Sequence, residues 1–365
     1  MKICFRANLY YNVGVAETVY RLNLAAKSKG IDFRVAGFIE DKISKTIPTI
    51  GPALPIDINE VNKNGEDYHI DEKNSSDVDL FIFYFDSQNP FIGERGKSEL
   101  EKIVRHVPRK KSLIIDADGK SNCLTKVEGD SSHINERERE EWLKVYDAIS
   151  DRVFQPSLTP LNKNVKSFMF WGYDEPKDKE QNLYDVIYLG SNWYRWDRME
   201  EFMNNFKSLR HLFPRLAVVG SHWLTSDPYN PQANKHKPQF FEENNISIKE
   251  YVTKFGEFTR IIGQARFSPI LVRPILSKMK LITPRMLETF ASGTIPIIPN
   301  HFDYAEELYG KQATELMLGD NPIDKLKHMA KNEKRYQIIA GTIRDRLRKY
   351  SYGLRIEELI SLIKD

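Results

Sequence analysis

Three times along this chain a strand-length apolar run gives way to a polar turn or glycine, then to helical spacing, then to a second apolar run. The first instance is "KICFRA" (2–7), the turn "NLYYNVGV", the helix "AETVYRLNLAAKSKG" (16–30) and "DFRVAGF" (32–38), with Gly30 placed to cap the helix. The second is "VDLFIFYF" (78–85), "DSQNPFIG", a helix around "KSELEKIVRHV" (97–107) and "SLIIDADG" (112–119). The third is "LYDVIYLGSNWYRW" (183–196), "RMEEFMNNFKSLRHLF" (198–213) and "RLAVVG" (215–220). A crossover helix must bury its apolar stripe against a sheet face, so this rhythm predicts parallel sheets covered on both sides.

The rhythm is interrupted once, by the charged, proline-containing segment "DEPKDKEQN" (174–182), which reads as a linker. It separates a first α/β domain (1–173) from a second (183–345), and residues 346–365 read as a closing helix that packs back on the first domain. With 365 residues and 41% hydrophobic content, the chain can fill two cores. The expected architecture is two Rossmann-like domains with a cleft between them.

Several function classes lose support at once. No run approaches the roughly 18–20 uncharged apolar residues of a spanning helix, and "MKICFRANLYYN" is no signal peptide. Cys4 and Cys123 form neither a disulfide framework nor a zinc-ligand spacing, which fits a reducing cytoplasm. The turn "NVGVAE" is not the G-x-G-x-x-G of a dinucleotide oxidoreductase. Net charge is only +3, from 54 basic and 51 acidic residues, so nucleic-acid binding is permitted rather than demanded. "RHVPRKK" (105–111) and "ANKHKPQ" (233–239) are the local basic clusters, each more often a solvated face than an interface.

Ligands of open parallel sheets bind beyond the carboxyl ends of strands. Four turns qualify: Asn12–Glu17, Asp116–Asn122, Gly190–Arg198 and Thr283–Ser292. In "GSNWYRWDR" the backbone at Gly190 and Ser191 and the cations Arg195 and Arg198 could meet a diphosphate. The competing reading packs Trp193 and Trp196 between domains and pairs the arginines with acids. In "ITPRMLETFASG" Thr283-Pro284 marks a helix start, Arg285 lies in its first turn, Glu288 follows one turn later, Ser292 closes the stretch and Gly293 ends the helix. That pair is either a plain ion pair or a phosphate and ribose grip, since a carboxylate can accept from two adjacent ribose hydroxyls.

These residues carry a family resemblance. The second half resembles the donor-binding domain of GT-B glycosyltransferases, in particular the phage DNA β-glucosyltransferases and the CgeB-like bacterial enzymes; "DVIYLGS", "RWDRMEEF" and "ITPRMLETFAS" resemble their diphosphate turn and ribose helix. "ETVY" (17–20), "SQNPFIG" (87–93) and "DADG" (116–119) resemble first-half stretches in the same order. The resemblance implies a nucleotide-sugar donor, most simply a UDP-sugar, with the diphosphate on Arg195, Arg198 and Arg285 and the ribose on Glu288. It implies a catalytic carboxylate at Asp118, with Asp116 as the alternative, and Glu17 lining the same cleft; closure of two domains would exclude water from the transfer. A retaining enzyme would not use Asp118 as base. No divalent-metal ligand set is indicated. The aromatic "NWYRW" and the long loop at 221–239 depart from the phage pattern, so a hydroxymethylated base in double-stranded DNA is a secondary acceptor beside glycans and small hydroxyl compounds. For DNA, "RHVPRKK" and "NKHK" would supply a basic rim. An epimerase of the same architecture and a non-catalytic nucleotide- or DNA-binding protein are the competing functions.

Overall fold

The computed structural model describes residues 1–6, 13–36, 38–40, 54–56, 78–85, 101, 104–122, 124, 126–131, 136–174, 181–225, 233, 235–249 and 257–364. They fall into two compact units. The first comprises Met1–Thr125, Ser132–Gly172 and Tyr350–Asp365; the second comprises Lys126–Ser131 and Tyr173–Lys349.

The first unit is built on a six-stranded sheet of β1 (Lys2–Arg6), β2 (Asp32–Ala36), β5 (Leu80–Phe85), β6 (Ser112–Asp116), β9 (Val153–Gln155) and β10 (Lys166–Ser167). Its order is β10-β9-β6-β5-β1-β2 and its pairings are parallel. A small parallel pair, β3 (Phe38–Glu40) with β4 (Leu54–Ile56), lies outside it. β5 is apolar throughout because both its faces are covered, and alternate residues serve opposite layers. Phe81 and Phe83 join Trp142, Val145, Tyr146 and Ile149 of α2 (Glu136–Ile149). Tyr84 instead joins Phe5 and Phe170. Helix α1 (Val13–Ser28) starts three residues before the expected Ala16 and ends at Gly30, whose φ of +69° is the left-handed cap conformation. The last helix, α11 (Tyr352–Lys364), packs on α1, and Arg152 of this unit donates to the carbonyl of Leu362 at 2.6 Å. Of the helix expected at 97–107, residues 101 and 104–106 are helical; "SQNPFIG" and most of the 174–182 linker lie outside the described residues.

The second unit carries β11 (Tyr184–Leu189), α3 (Trp196–Asn204), β12 (Leu216–Val219), α4 (Pro238–Glu243), β13 (Ile246–Lys249), α5 (Glu257–Gly263), β14 (Ala265–Pro269), α6 (Pro274–Lys278), α7 (Pro284–Ala291), β15 (Ile295–Ile297), α8 (Ala305–Tyr309), α9 (Pro322–Lys331) and α10 (Glu333–Leu347). All its main pairings are parallel in the order β13-β12-β11-β14-β15, the Rossmann half-order in which the strand order reverses between β11 and β14. The amino edge is stitched by Asp185, which accepts from Arg215 and Arg266, and Arg266 also reaches Glu333. The unit also takes in a hairpin, β7 (Lys126–Val127) with β8 (Asp130–Ser131), from within the first 173 residues. The helix expected over 198–213 stops at Asn204 and continues as a 3-10 turn at Lys207–Leu209. Trp196 packs in the second unit's own core, its ring 5.4 Å from Phe241 and 5.7 Å from Phe240.

Candidate active site

The chemistry gathers at the carboxyl edge of the second sheet, where β11 and β14 diverge. β11 ends at Gly190 (φ +157°), where a Cβ would stand 2.6 Å from the Tyr188 hydroxyl. At Gly220, after β12, a Cβ would fall 2.2 Å from the Gly190 carbonyl oxygen, so two strand ends abut closely enough that glycine is required there. Trp223 donates to the same carbonyl at 2.8 Å, and the buried Asn192 amide donates to the carbonyls of His222 and Lys235. His222, Trp223 and Lys235 are thereby tied to the turn after β11.

Arg195 is the residue before α3, and its guanidinium folds over its own turn to donate to the carbonyls of Ser191 (3.2 Å) and Trp193 (3.3 Å). Its Nε is buried with no hydrogen bond. Burial holds its pKa below the usual arginine value; Arg273 and Arg285 push the same way, against Tyr188 and Asp130. Arg273, after β14, forms a two-point pair with the fully buried Asp130 of the hairpin (2.9 and 3.2 Å) and lies 5.1 Å from the Tyr194 ring. Arg285 stands in the first turn of α7, 5.2 Å from the Phe258 ring centre. Its Nη1 is 3.2 Å from Glu288 Oε2, yet neither atom makes an aligned hydrogen bond, so the contact is a charge pair without hydrogen-bond geometry. Thr283 precedes Pro284 as the helix-start residue, but its side chain makes no capping bond. Arg198 lies in the first turn of α3, and its side chain makes no hydrogen bond with any described residue. Burial lowers its pKa, opposed by Glu201, Asp303 and Asp197.

Ser292 sits elsewhere. It follows the C-terminus of α7, donates to Thr289, accepts from the Thr294 amide and is buried, and Thr294 in turn bonds Ile262 and Ala265 at the start of β14. A helix that crosses back between two parallel strands has its C-terminus at the amino edge, so Ser292 is remote from the arginines and serves the helix end. Gly293, at φ +78°, terminates that helix.

In the first unit, Asp116 ends β6 fully buried and accepts from Lys120 N, Ser121 N, Ser121 Oγ, Tyr146 Oη and Gln155 Nε2. Five hydrogen bonds commit it to holding the 117–122 turn. Asp118, on that turn, is half-buried and makes no hydrogen bond or ion pair with any described residue. Glu17 lies in the second turn of α1 and accepts from Arg21 Nε (2.9 Å) and Nη2 (2.7 Å). Among the described residues no group of three or more His, Cys, Asp and Glu is placed to hold a metal ion, and no helix is long and apolar enough to cross a membrane.

Solved structures match this architecture over its full length. An α-glucosyltransferase in complex with UDP aligns over 100% of both chains at TM-score 0.67 and 13% identity. An α-glucosyltransferase bound to UDP-glucose and DNA with an abasic site does so at 0.67 and 14%, and T4 phage β-glucosyltransferase at 0.58 and 14%. The fold is GT-B. No protein-family model and no curated protein matches the sequence.

Within a GT-B chain the placement of the basic clusters matters. "RHVPRKK" precedes β6 and so lies at the amino edge of the first sheet, about 16 Å of strand from Asp116. Its Lys111 donates to the Val78 carbonyl, so the cluster lies away from the carboxyl edge, where a basic rim for DNA was expected. Lys235 and Lys237 do flank the second unit's carboxyl edge, paired with Asp197 and Glu200. Sequence reasoning missed Arg273, Asp130 and His301. The loop after β14 could have been found, since "SPILVRP" is another apolar run leading to a helix start; Asp130 lay 143 residues from its partner and carried no local signal.

Proposed function

We propose that this chain is a glycosyltransferase that moves a sugar from a UDP-sugar to a hydroxyl group, with a hydroxymethylated base in DNA as the acceptor. The observation that carries this is Arg195, whose guanidinium, among the described residues, hydrogen-bonds only carbonyl oxygens, with Arg273 and Arg285 close enough to disfavour its charge. A cluster of partly desolvated guanidiniums is stabilised by a dianion, and a diphosphate leaving group is one. Its place at the strand-order reversal is where Rossmann sheets bind nucleotides. Arg285 and Arg198 would add charge to the departing diphosphate and Glu288 would take the ribose hydroxyls. The DNA acceptor is supported by the structural neighbours, one of which holds a 13-mer DNA containing an HMU base.

On the acceptor side, Asp118 is the uncommitted carboxylate and Asp116 its scaffold. In an inverting transfer Asp118 would take the proton from the acceptor hydroxyl; in a retaining one it would not act as that base. Both α- and β-glucosyltransferases share the fold, so the product anomer assigns this role.

The test is UDP and UDP-glucose binding by thermal shift, followed by incubation of UDP-[14C]glucose with duplex DNA containing hydroxymethylcytosine or hydroxymethyluracil. Ligand at 100 times its Kd should stabilise the protein by about 2.7 kcal/mol. Label in DNA establishes transfer, and NMR of the linkage assigns the anomer. Conversion of the sugar without DNA would identify an epimerase, and the absence of any UDP response would refute the reading.

A further inference from the structure

The loop that leaves β15 carries His301, a side chain with no task in the reading above. The Val272 amide donates to its Nε2 at 3.4 Å. In a neutral ring that bond assigns the proton to Nδ1, leaving Nδ1–H as a hydrogen-bond donor. Burial first, and the Arg198 charge second, push its pKa down to about 3, so the ring is neutral near pH 7. Ser277 Oγ holds the His301 carbonyl at 2.8 Å and fixes the loop.

The location gives this histidine its meaning. Val272 is the residue before Arg273, so His301 is bonded to the backbone that presents the diphosphate cluster, and it interacts electrostatically with Arg198. Nδ1–H of His301 and the half-buried guanidinium of Arg198 make no hydrogen bond with any described residue. Two hydrogen-bond donors beside a diphosphate site, one of them uncharged, call for a ligand rich in acceptor atoms that need not be an anion. Sugar hydroxyls are such acceptors. A site built to bond a hydroxyl discriminates strongly against ligands that lack it, because its own polar groups are then left unpaired.

Resting on the nucleotide-sugar reading, we propose that His301, with Arg198 beside it, hydrogen-bonds the hydroxyl groups of the transferred hexose and sets which UDP-sugar is accepted. The test measures Kd for UDP and for UDP-glucose by calorimetry on the full chain, wild type, His301→Ala and His301→Gln, with thermal unfolding as the check of fold. The quantity read is the ratio of the two constants. His301→Ala is expected to raise Kd(UDP-glucose)/Kd(UDP) by about 3- to 10-fold, the worth of one net hydrogen bond, with Kd(UDP) within about 2-fold. His301→Gln, which can still accept from Val272 and donate, should recover most of that ratio. An unchanged ratio, or parallel loss of both affinities, overturns the proposal. If His301→Ala does not fold, His301→Phe, which keeps the ring but neither nitrogen, takes its place; it should raise the same ratio, and an unchanged ratio overturns the proposal equally. Absence of UDP binding to the wild type is a separate outcome that refutes the nucleotide-sugar reading before any variant is compared.

Discussion

Replacing Asp116 and Asp118 one at a time by asparagine should separate two carboxylates that lie two residues apart. Asp116 Oδ1 accepts from Lys120 N and Tyr146 Oη, and Oδ2 accepts from Ser121 N, Ser121 Oγ and Gln155 Nε2. Asparagine keeps one of these oxygens and turns the other into an NH2 group. Tyr146, Ser121 Oγ and Gln155 can reorient to accept from it, but a backbone amide cannot. Each buried donor left unmade costs about 1–3 kcal/mol, and weakening of the remaining bonds by loss of charge adds to it, so Asp116→Asn should destabilise the first unit by roughly 2–5 kcal/mol. For a domain of this size that is on the order of 5–15 °C in Tm. Asp118→Asn breaks no hydrogen bond to a described residue, so its Tm should move by under about 2 °C. If the product is the inverted anomer, its turnover should fall by about 10²–10⁴-fold with Kd for UDP unchanged. Differential scanning calorimetry and the DNA-labelling assay read the two effects. An Asp118→Asn enzyme with full turnover and an inverted product, or an Asp116→Asn protein as stable as wild type, would show that the roles drawn from these hydrogen bonds are wrong.

The second unit offers sharper single-site tests. Arg195→Ala should remove most of the thermal shift given by UDP, a loss of roughly 2–4 kcal/mol in binding, while leaving the shift from hydroxymethylated DNA intact. Glu288→Gln should reduce the preference for UDP over 2′-deoxy-UDP, measured as a Kd ratio, by about 5- to 10-fold, and an unchanged ratio would leave the Arg285–Glu288 contact as a plain ion pair. Gly220→Ala places a Cβ 2.2 Å from the Gly190 carbonyl, so it should cost more than about 3 kcal/mol or prevent folding, read by circular dichroism on heating. Asp185 is desolvated, which raises its pKa, but bonds from Arg215 and Arg266 outweigh burial and hold it below the usual carboxylate value. A depressed folded pKa stabilises the fold above the unfolded value near 4 and loses that contribution as pH falls through the folded value, so wild type should lose Tm progressively below about pH 4, and Asp185→Asn should show a shallower loss from a lower plateau.

The β-α-β rhythm, the parallel sheets, the helix starting at Pro284 and the glycine stops at Gly30 and Gly293 were legible in the chain because they rest on local chemistry: apolar period, ring-fixed φ and freedom at positive φ. The carboxyl-edge rule then brought Arg195, Arg198, Arg285, Glu288, Asp116 and Asp118 forward from turns alone. Tertiary structure decided what each of these does. Only pairing across the first sheet and its helix layer gave Asp116 its five hydrogen bonds and left Asp118 uncommitted, because Tyr146 and Gln155 come from elements 30 and 39 residues away. Only the direction of α7 put Ser292 at the amino edge, and only the direction of β6 put "RHVPRKK" there too. Arg273, its carboxylate Asp130 and His301 could not be read from any local pattern, since their partners lie 143 and 29 residues distant and meet through strand order rather than sequence spacing.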